Sequence, residues 1–237
     1  MEFSFLVEFS YDTAFIAEYS YVLLLQVLLY LSATTSVGLF YRAFSIAGIG
    51  TKIEQRANYK NQILSEIGWS LCTCLIIASY FYFAFAFVDD VYPHHWMSAV
   101  MQVLGFILAY DFYMYITHRV LHSKPLRKFH RRHHTAVSAT PWSCLNMHPV
   151  EAFVNYLPFP LFAILTPTSL TVLIGIHVYL IFGIAIGHSN YSLIPLQRTP
   201  FLIRELITFH QKHHSDGSGN YGLLFTHWDW VFGTRHK

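Results

Sequence analysis

Charge is scarce in this chain. Only 12% of its 237 residues are Asp, Glu, Lys or Arg, where a soluble domain carries about a quarter. A solvated surface over most of the molecule is therefore excluded. Cysteine is scarce too, and three cysteines do not make a disulfide framework. Cys72 and Cys74 sit inside an apolar run and read as small apolar filler. No GxGxxG, Walker or cysteine-cluster motif appears, which leaves no recognisable flavin, haem or iron–sulfur site within the chain. No linker, low-complexity tract or charge run divides it, so 1–237 reads as a single domain. The first 41 residues contain no Lys or Arg, so the positive n-region of a cleaved signal peptide is missing. A net charge of +2 gives no reason to expect a nucleic-acid partner.

Apolar residues dominate instead, at 54%, with 18% aromatic. The basic residues fall in three zones: Arg42 to Lys60, Arg119 to Arg132, and Arg198 to Lys237. Long apolar runs separate them, as membrane spans between basic loops would. Spans are expected at about 20–41, 64–87 and 96–117. The stretch 152–187 fits two shorter passes or a re-entrant hairpin, broken at Thr166-Pro167-Thr168. The expectation is an all-α integral membrane bundle of about four to five passes or hairpins, with a cytoplasmic helical cap. The acidic N-terminal segment (Glu2, Glu8, Asp12, Glu18) and Asp89 and Asp90 would face the other side.

Histidine is concentrated where the basic zones lie. HRVLHSKPLRKFHRRHH at 118–134 holds His118, His122, His130, His133 and His134, and HQKHH at 210–214 holds His210, His213 and His214. His118 and His122 share a helical face, with Asp111 and Tyr115 upstream on it. Each H-x2-H-H box has offsets of three and four and is expected on one helical face. A basic juxtamembrane surface explains the neighbouring arginines but not the repeated spacing. Metal binding explains it. Eight imidazoles exceed one ion and give each of two about four donors; Fe, Zn, Cu and Ni all accept such ligands. Asp111, a carboxylate inside a span, is expected to accept a hydrogen bond from a ligand imidazole, directly or one residue removed.

The pattern D-x3-Y-x2-H-R-x2-H at 111–122, H-x2-H-H twice, H-P-x-E at 148–151, N-Y-G at 220–222 and W-D-x-x-F-G-T at 228–234 resembles the fatty acid hydroxylase and sterol desaturase superfamily. The resemblance covers 105–234, read as the catalytic region. It implies an integral membrane, non-haem di-iron oxygenase. The eight box histidines would be ligands, and His188, in G-H-S-N, a ninth. Asp111 and Tyr115 would complete the catalytic region. His148 is open between ligand, supporting donor and helix-start residue. His227 is open between approach to the metals and structural support. His177 reads as a core histidine, His94 and His95 as interfacial on the opposite face, and His236 as solvated.

The resemblance further implies two iron ions, with zinc as a possible substitute, O2, and an external electron carrier of cytochrome b5 or ferredoxin type. The reaction would hydroxylate or desaturate a lipid C–H bond of a sterol, fatty acyl or related lipid. The membrane would be the endoplasmic reticulum in a eukaryote or the inner membrane in a bacterium, with the histidine clusters cytoplasmic. The alternatives are a non-enzymatic membrane metal-binding or transport protein and a scaffold that lost catalysis. Transport predicts ionisable residues along the spans; Asp111 and Glu151 are nearly alone there.

Overall fold

The structure, a computed structural model, describes residues 2–88, 90–194 and 201–235, with side chains described from 14 and, in the last long helix, from 208. The expectations for Glu2, Glu8, Asp12, Asp89 and His236 lie outside that description. The elements are α1 (Glu2–Ile46), β1 (Thr51–Lys52), α2 (Gln62–Phe85), α3 (Trp96–Leu121), α4 (Arg127–His130), α5 (Pro149–Tyr156), α6 (Pro158–Leu165), α7 (Leu170–Gly187), β2 (Tyr191–Ser192), α8 (Phe201–Asp216) and α9 (His227–Val231). Short 3₁₀ turns cover His133–Thr135 and Pro141–Leu145. The all-α expectation holds, since β1 and β2 form one two-residue antiparallel pair.

Among the described residues, four helices are long and apolar enough to cross a membrane: Ala14–Ile46, α2, α3 and α7. α1 packs against α2 and α7, and α3 packs against α5 and α7. A buried aromatic cluster sits where they meet. The Phe159 ring lies 5.1 Å from both Phe81 and Phe106. His177 packs against Phe81 and donates through Nε2 to Gln26 Oε1 at 2.7 Å, so it is the core histidine its sequence context implied.

The region 152–187 crosses the bundle twice. α5 and α6 form one broken descent: Pro149 and Pro158 each occupy a first helical position, where no N–H is needed. At the bottom, Leu170 N donates to Asp90 O (2.9 Å) and Gln102 Nε2 to Pro167 O (3.1 Å), level with the start of α3. α7 then climbs back. The ends of α1, α3 and α7 and the starts of α2 and α5 thus gather at one end of the molecule. The β1–β2 pair and Asn190 fasten that end. Asn190 adopts a left-handed φ of 54° and bonds Glu54 N (2.8 Å), Glu54 O (3.2 Å) and Ser138 Oγ (3.0 Å).

Candidate metal centre

All nine expected histidines meet at that gathered end, in two groups. His118, His122, His130, His134 and His213 form one, and His133, His188, His210 and His214 the other, with the donor atoms of each group within 4.8 Å of one another. α3 runs four residues past the expected 117, which carries His118 on its last turn and His122 at its cap. His188 caps α7.

The boxes do not each present one face to one ion. In both, the i and i+4 histidines share a group and the i+3 histidine joins the other: His130 and His134 against His133, and His210 and His214 against His213. In the first box the helix stops at His130 and the chain turns through a 3₁₀ segment at His133, which breaks the expected single helical face. In the second box α8 continues through Asp216, so there the split arises from an intact helix seated between the two groups.

The Nε2 atoms point at one another. His118 Nε2 lies 3.0 Å from His130 Nε2, His134 Nε2 2.9 Å from His130 Nε2, and His210 Nε2 3.0 Å from His188 Nε2. In four of the rings the opposite nitrogen points outward, to an acceptor. His118 Nδ1 donates to Tyr221 O (2.8 Å), His188 Nδ1 to Ile184 O (2.8 Å), His213 Nδ1 to Gly219 O (2.6 Å) and His130 Nδ1 to Glu151 Oε1 (2.7 Å). A neutral ring has one N–H. Once Nδ1–H is used outward, Nε2 brings only a lone pair inward, so His118 and His130 face each other lone pair to lone pair. Burial also keeps the rings neutral, holding His122 and His134 down to about 3 and His188 to about 4. Neutral imidazoles with converging lone pairs are the donor set a transition-metal ion takes, and the residues fit two such ions.

Asp111 does not contact an imidazole among the described residues. Its Oδ1 accepts from Leu224 N (2.9 Å) and Phe225 N (3.4 Å), which ties α3 to the segment before α9. Tyr115 is likewise turned away from the rings. Its hydroxyl meets Thr234 Oγ1 (3.0 Å) and Arg119 (3.3 Å), and its ring stacks on Phe232. Both position the C-terminal segment.

The carboxylate one residue removed from a ring is Asp229. It is buried and accepts from Tyr221 N, Gly222 N and Thr234 Oγ1, each at 2.7 Å, and Tyr221 O in turn receives His118. N-Y-G and W-D-x-x-F-G-T are therefore one folded unit. A Cβ at Gly222 would stand 2.2 Å from Phe225 O, so the fit requires glycine. The carboxylate in direct contact is Glu151, 2% exposed, which the sequence marked within H-P-x-E and as an ionisable residue in an apolar region but did not pair with a ring. Glu66 is a third buried carboxylate in an apolar helix, also missed; it is held by Gln62 (2.8 Å) and Thr140.

The other histidines separate cleanly. His148 is the helix-start residue, its Nδ1 accepting from Val150 N at 3.1 Å. His227 opens α9 and packs on Trp228. His94 is exposed at the far end and pairs with Asp90.

A small, mostly apolar cavity of about 40 Å³ adjoins the rings. His118, His130, His133, His188 and His210 line one side, and Tyr110, Met114, Leu121, Ile184 and Leu223 are among the others. Tyr110 also lines a groove of about 520 Å³ between α3 and α6.

The sequence is similar to those of several known proteins. The chain is 31% identical to lathosterol oxidase of Rattus norvegicus over 153 residues, 62% of this chain and 49% of that protein. It is 32% identical to very-long-chain aldehyde decarbonylase GL1-8 of Oryza sativa subsp. indica over 197 residues, 77% of this chain and 72% of that one. It is 30% identical to methylsterol monooxygenase 1 of Gallus gallus over 166 residues, 68% and 55%. The chain thus spans about half the length of the lathosterol oxidase it matches. No solved structure matches. The family model described as fatty acid hydroxylase matches residues 103–234, which takes in every one of the nine histidines, and the chain belongs to that family.

Proposed function

We propose that the protein is a membrane-embedded, O2-dependent di-iron oxygenase that hydroxylates or desaturates a lipid C–H bond. The observation that carries this reading is the pair of neutral imidazole groups opening onto an apolar cavity among helices long enough to span a bilayer. The printed activities of the relatives, sterol oxidation among them, support a lipid substrate.

Two irons held by these donors would supply O2 activation and removal of hydrogen from an unactivated carbon. Hydroxylation consumes the C–H substrate, one O2, two electrons and two protons, and yields the alcohol and water. Desaturation takes the same inputs and yields the alkene and two waters. The chain's own part is to hold and insulate. Nine Nε2 atoms bind; Glu151 and the carbonyls of Tyr221, Gly219 and Ile184 fix ring orientation. Met114, Leu121, Ile184 and Leu223 keep the reacting carbon away from bulk water.

Electrons come from a separate carrier. Lys124, Arg127, Lys128 and Arg131 are exposed between the first two histidine motifs and form a docking face for an acidic partner on the cytoplasmic side.

The test is metal content and lipid profile on the same membranes. Active protein should contain two irons per chain, and cells expressing it should accumulate a lipid with one added oxygen or two fewer hydrogens. His133→Ala should abolish product and His94→Ala should not. One metal or none in active protein would overturn the reading.

A further inference from the structure

One polar side chain in the cavity wall serves no fold contact that explains it. Asn155 is 6% exposed, lines the cavity, and its Oδ1 has no protein partner. Its Nδ2 reaches Met147 Sδ at 3.3 Å, a weak acceptor. Around it the wall is largely apolar or aromatic: Met114, Met147, Tyr156, Ile184 and Leu223. A buried amide without a partner is costly, on a site that Leu would fill more cheaply.

Its place on the helix gives it a use. Asn155 follows Glu151 by four residues on α5, so both project from one face about one turn apart. Glu151 holds His130 through Oε1. Asn155 is then one turn, about 5.4 Å of rise, further from the ring layer. A polar group bonded there sits beside the metal centre and not at the far end of a long chain.

We propose that Asn155 is the substrate-recognition residue and that it binds a hydroxyl group carried by the lipid within a few bonds of the carbon that is oxidised. This deepens the oxygenase reading and rests on it. A hydroxyl is the group that fits. It can donate to Oδ1, the end of the amide left free while Nδ2 is turned to Met147 Sδ. An ether or a hydrocarbon leaves Oδ1 unpaired. Glu151 Oε2 is a second buried acceptor without a partner, but it belongs to the carboxylate that holds His130. The apolar remainder of the lipid leads away past Tyr110, which lines both the cavity and the groove between α3 and α6. The substrate class is therefore a lipid alcohol oxidised close to its hydroxyl, as opposed to a hydrocarbon chain oxidised at mid-length.

The test measures binding without turnover. Iron-loaded full-length protein in phospholipid nanodiscs is titrated with cholesterol and 1-octadecanol, and with the methyl ether of each, in competition with the tritiated alcohol. Wild-type protein should hold at least one of the alcohols about tenfold or more over its ether, equivalent to about 1.4 kcal/mol. Asn155→Leu should bring that ratio to about one while both metals stay bound, and Asn155→Ser should restore part of it. A ratio near one in wild-type protein for both pairs overturns the proposal, whatever the variants do. So does an unchanged ratio in Asn155→Leu. Failure of the oxygenase reading looks different: the alcohol preference persists, but the same samples hold fewer than two metals or give no O2-dependent product.

Discussion

Glu151 gives His130 its direction. The carboxylate accepts a hydrogen bond from Nδ1–H, so Nε2 faces inward with its lone pair. Glu151→Gln keeps the size and removes the charge. The expected result is a loss of about 10–100-fold in metal affinity or activity, read as metal per chain and product in the same membranes. Asp229 and Asp111 make a sharper pair. Asp229 accepts three hydrogen bonds around the carbonyl that orients His118, whereas Asp111 holds the chain three and four residues further on. Asp229→Asn should therefore lower metal content more than Asp111→Asn does; equal losses would make both mere packing residues. Sequence could point to Asp111 because helical spacing links it to His118. It could not rank Asp229, whose link to His118 passes through the backbone carbonyl of Tyr221, eight positions earlier in the chain. A backbone acceptor leaves no side-chain signature.

Helices and loops were legible to different degrees. α2 and α3 lie within a few residues of the apolar runs that foretold them, because composition alone sets a span's length. The break at 166–169 was visible in Thr-Pro-Thr, but the α5–α6 descent depended on where Pro149 and Pro158 reset the helix. The division of each H-x2-H-H box between two groups was hidden. Spacing fixes which rings are neighbours on a helix, and not which ring a second helix will claim. One loop carries a testable acid response. Glu54 lies beside Arg56, whose guanidinium hydrogen bond pushes its carboxyl down to about 2, and it also bonds Ser215 at the end of α8. A depressed folded value means its stabilisation is complete above the unfolded value of about 4.3 and is lost as pH falls toward the folded one. Thermal unfolding in detergent between pH 5 and pH 2 should fall less steeply in Glu54→Gln than in wild type. Parallel curves would show that this clasp contributes nothing.

For the whole molecule, the basic loops and the rings share an end. Lys52 sits on β1 and Lys128 on α4, both exposed and both at the gathered end of the bundle. With that end cytoplasmic, an impermeant amine reagent applied from the cytoplasmic side should label Lys52 and Lys128, and the same reagent from the other side should label neither. Labelling of Lys128 from outside would sink the orientation. The split boxes also have a consequence in time. Chains emerge from the ribosome N-terminus first. His118, His122, His130 and His134 are all made before α8, so four of the five rings in one group exist while the other holds only His133 and His188. On the two-iron reading proposed above, the ions then do not compete for a finished site. The five-ring group can load first on a chain still being synthesised, and the four-ring group waits for His210 and His214. Iron starvation during synthesis should therefore leave a population carrying one ion, in the five-ring group, before it leaves chains with none.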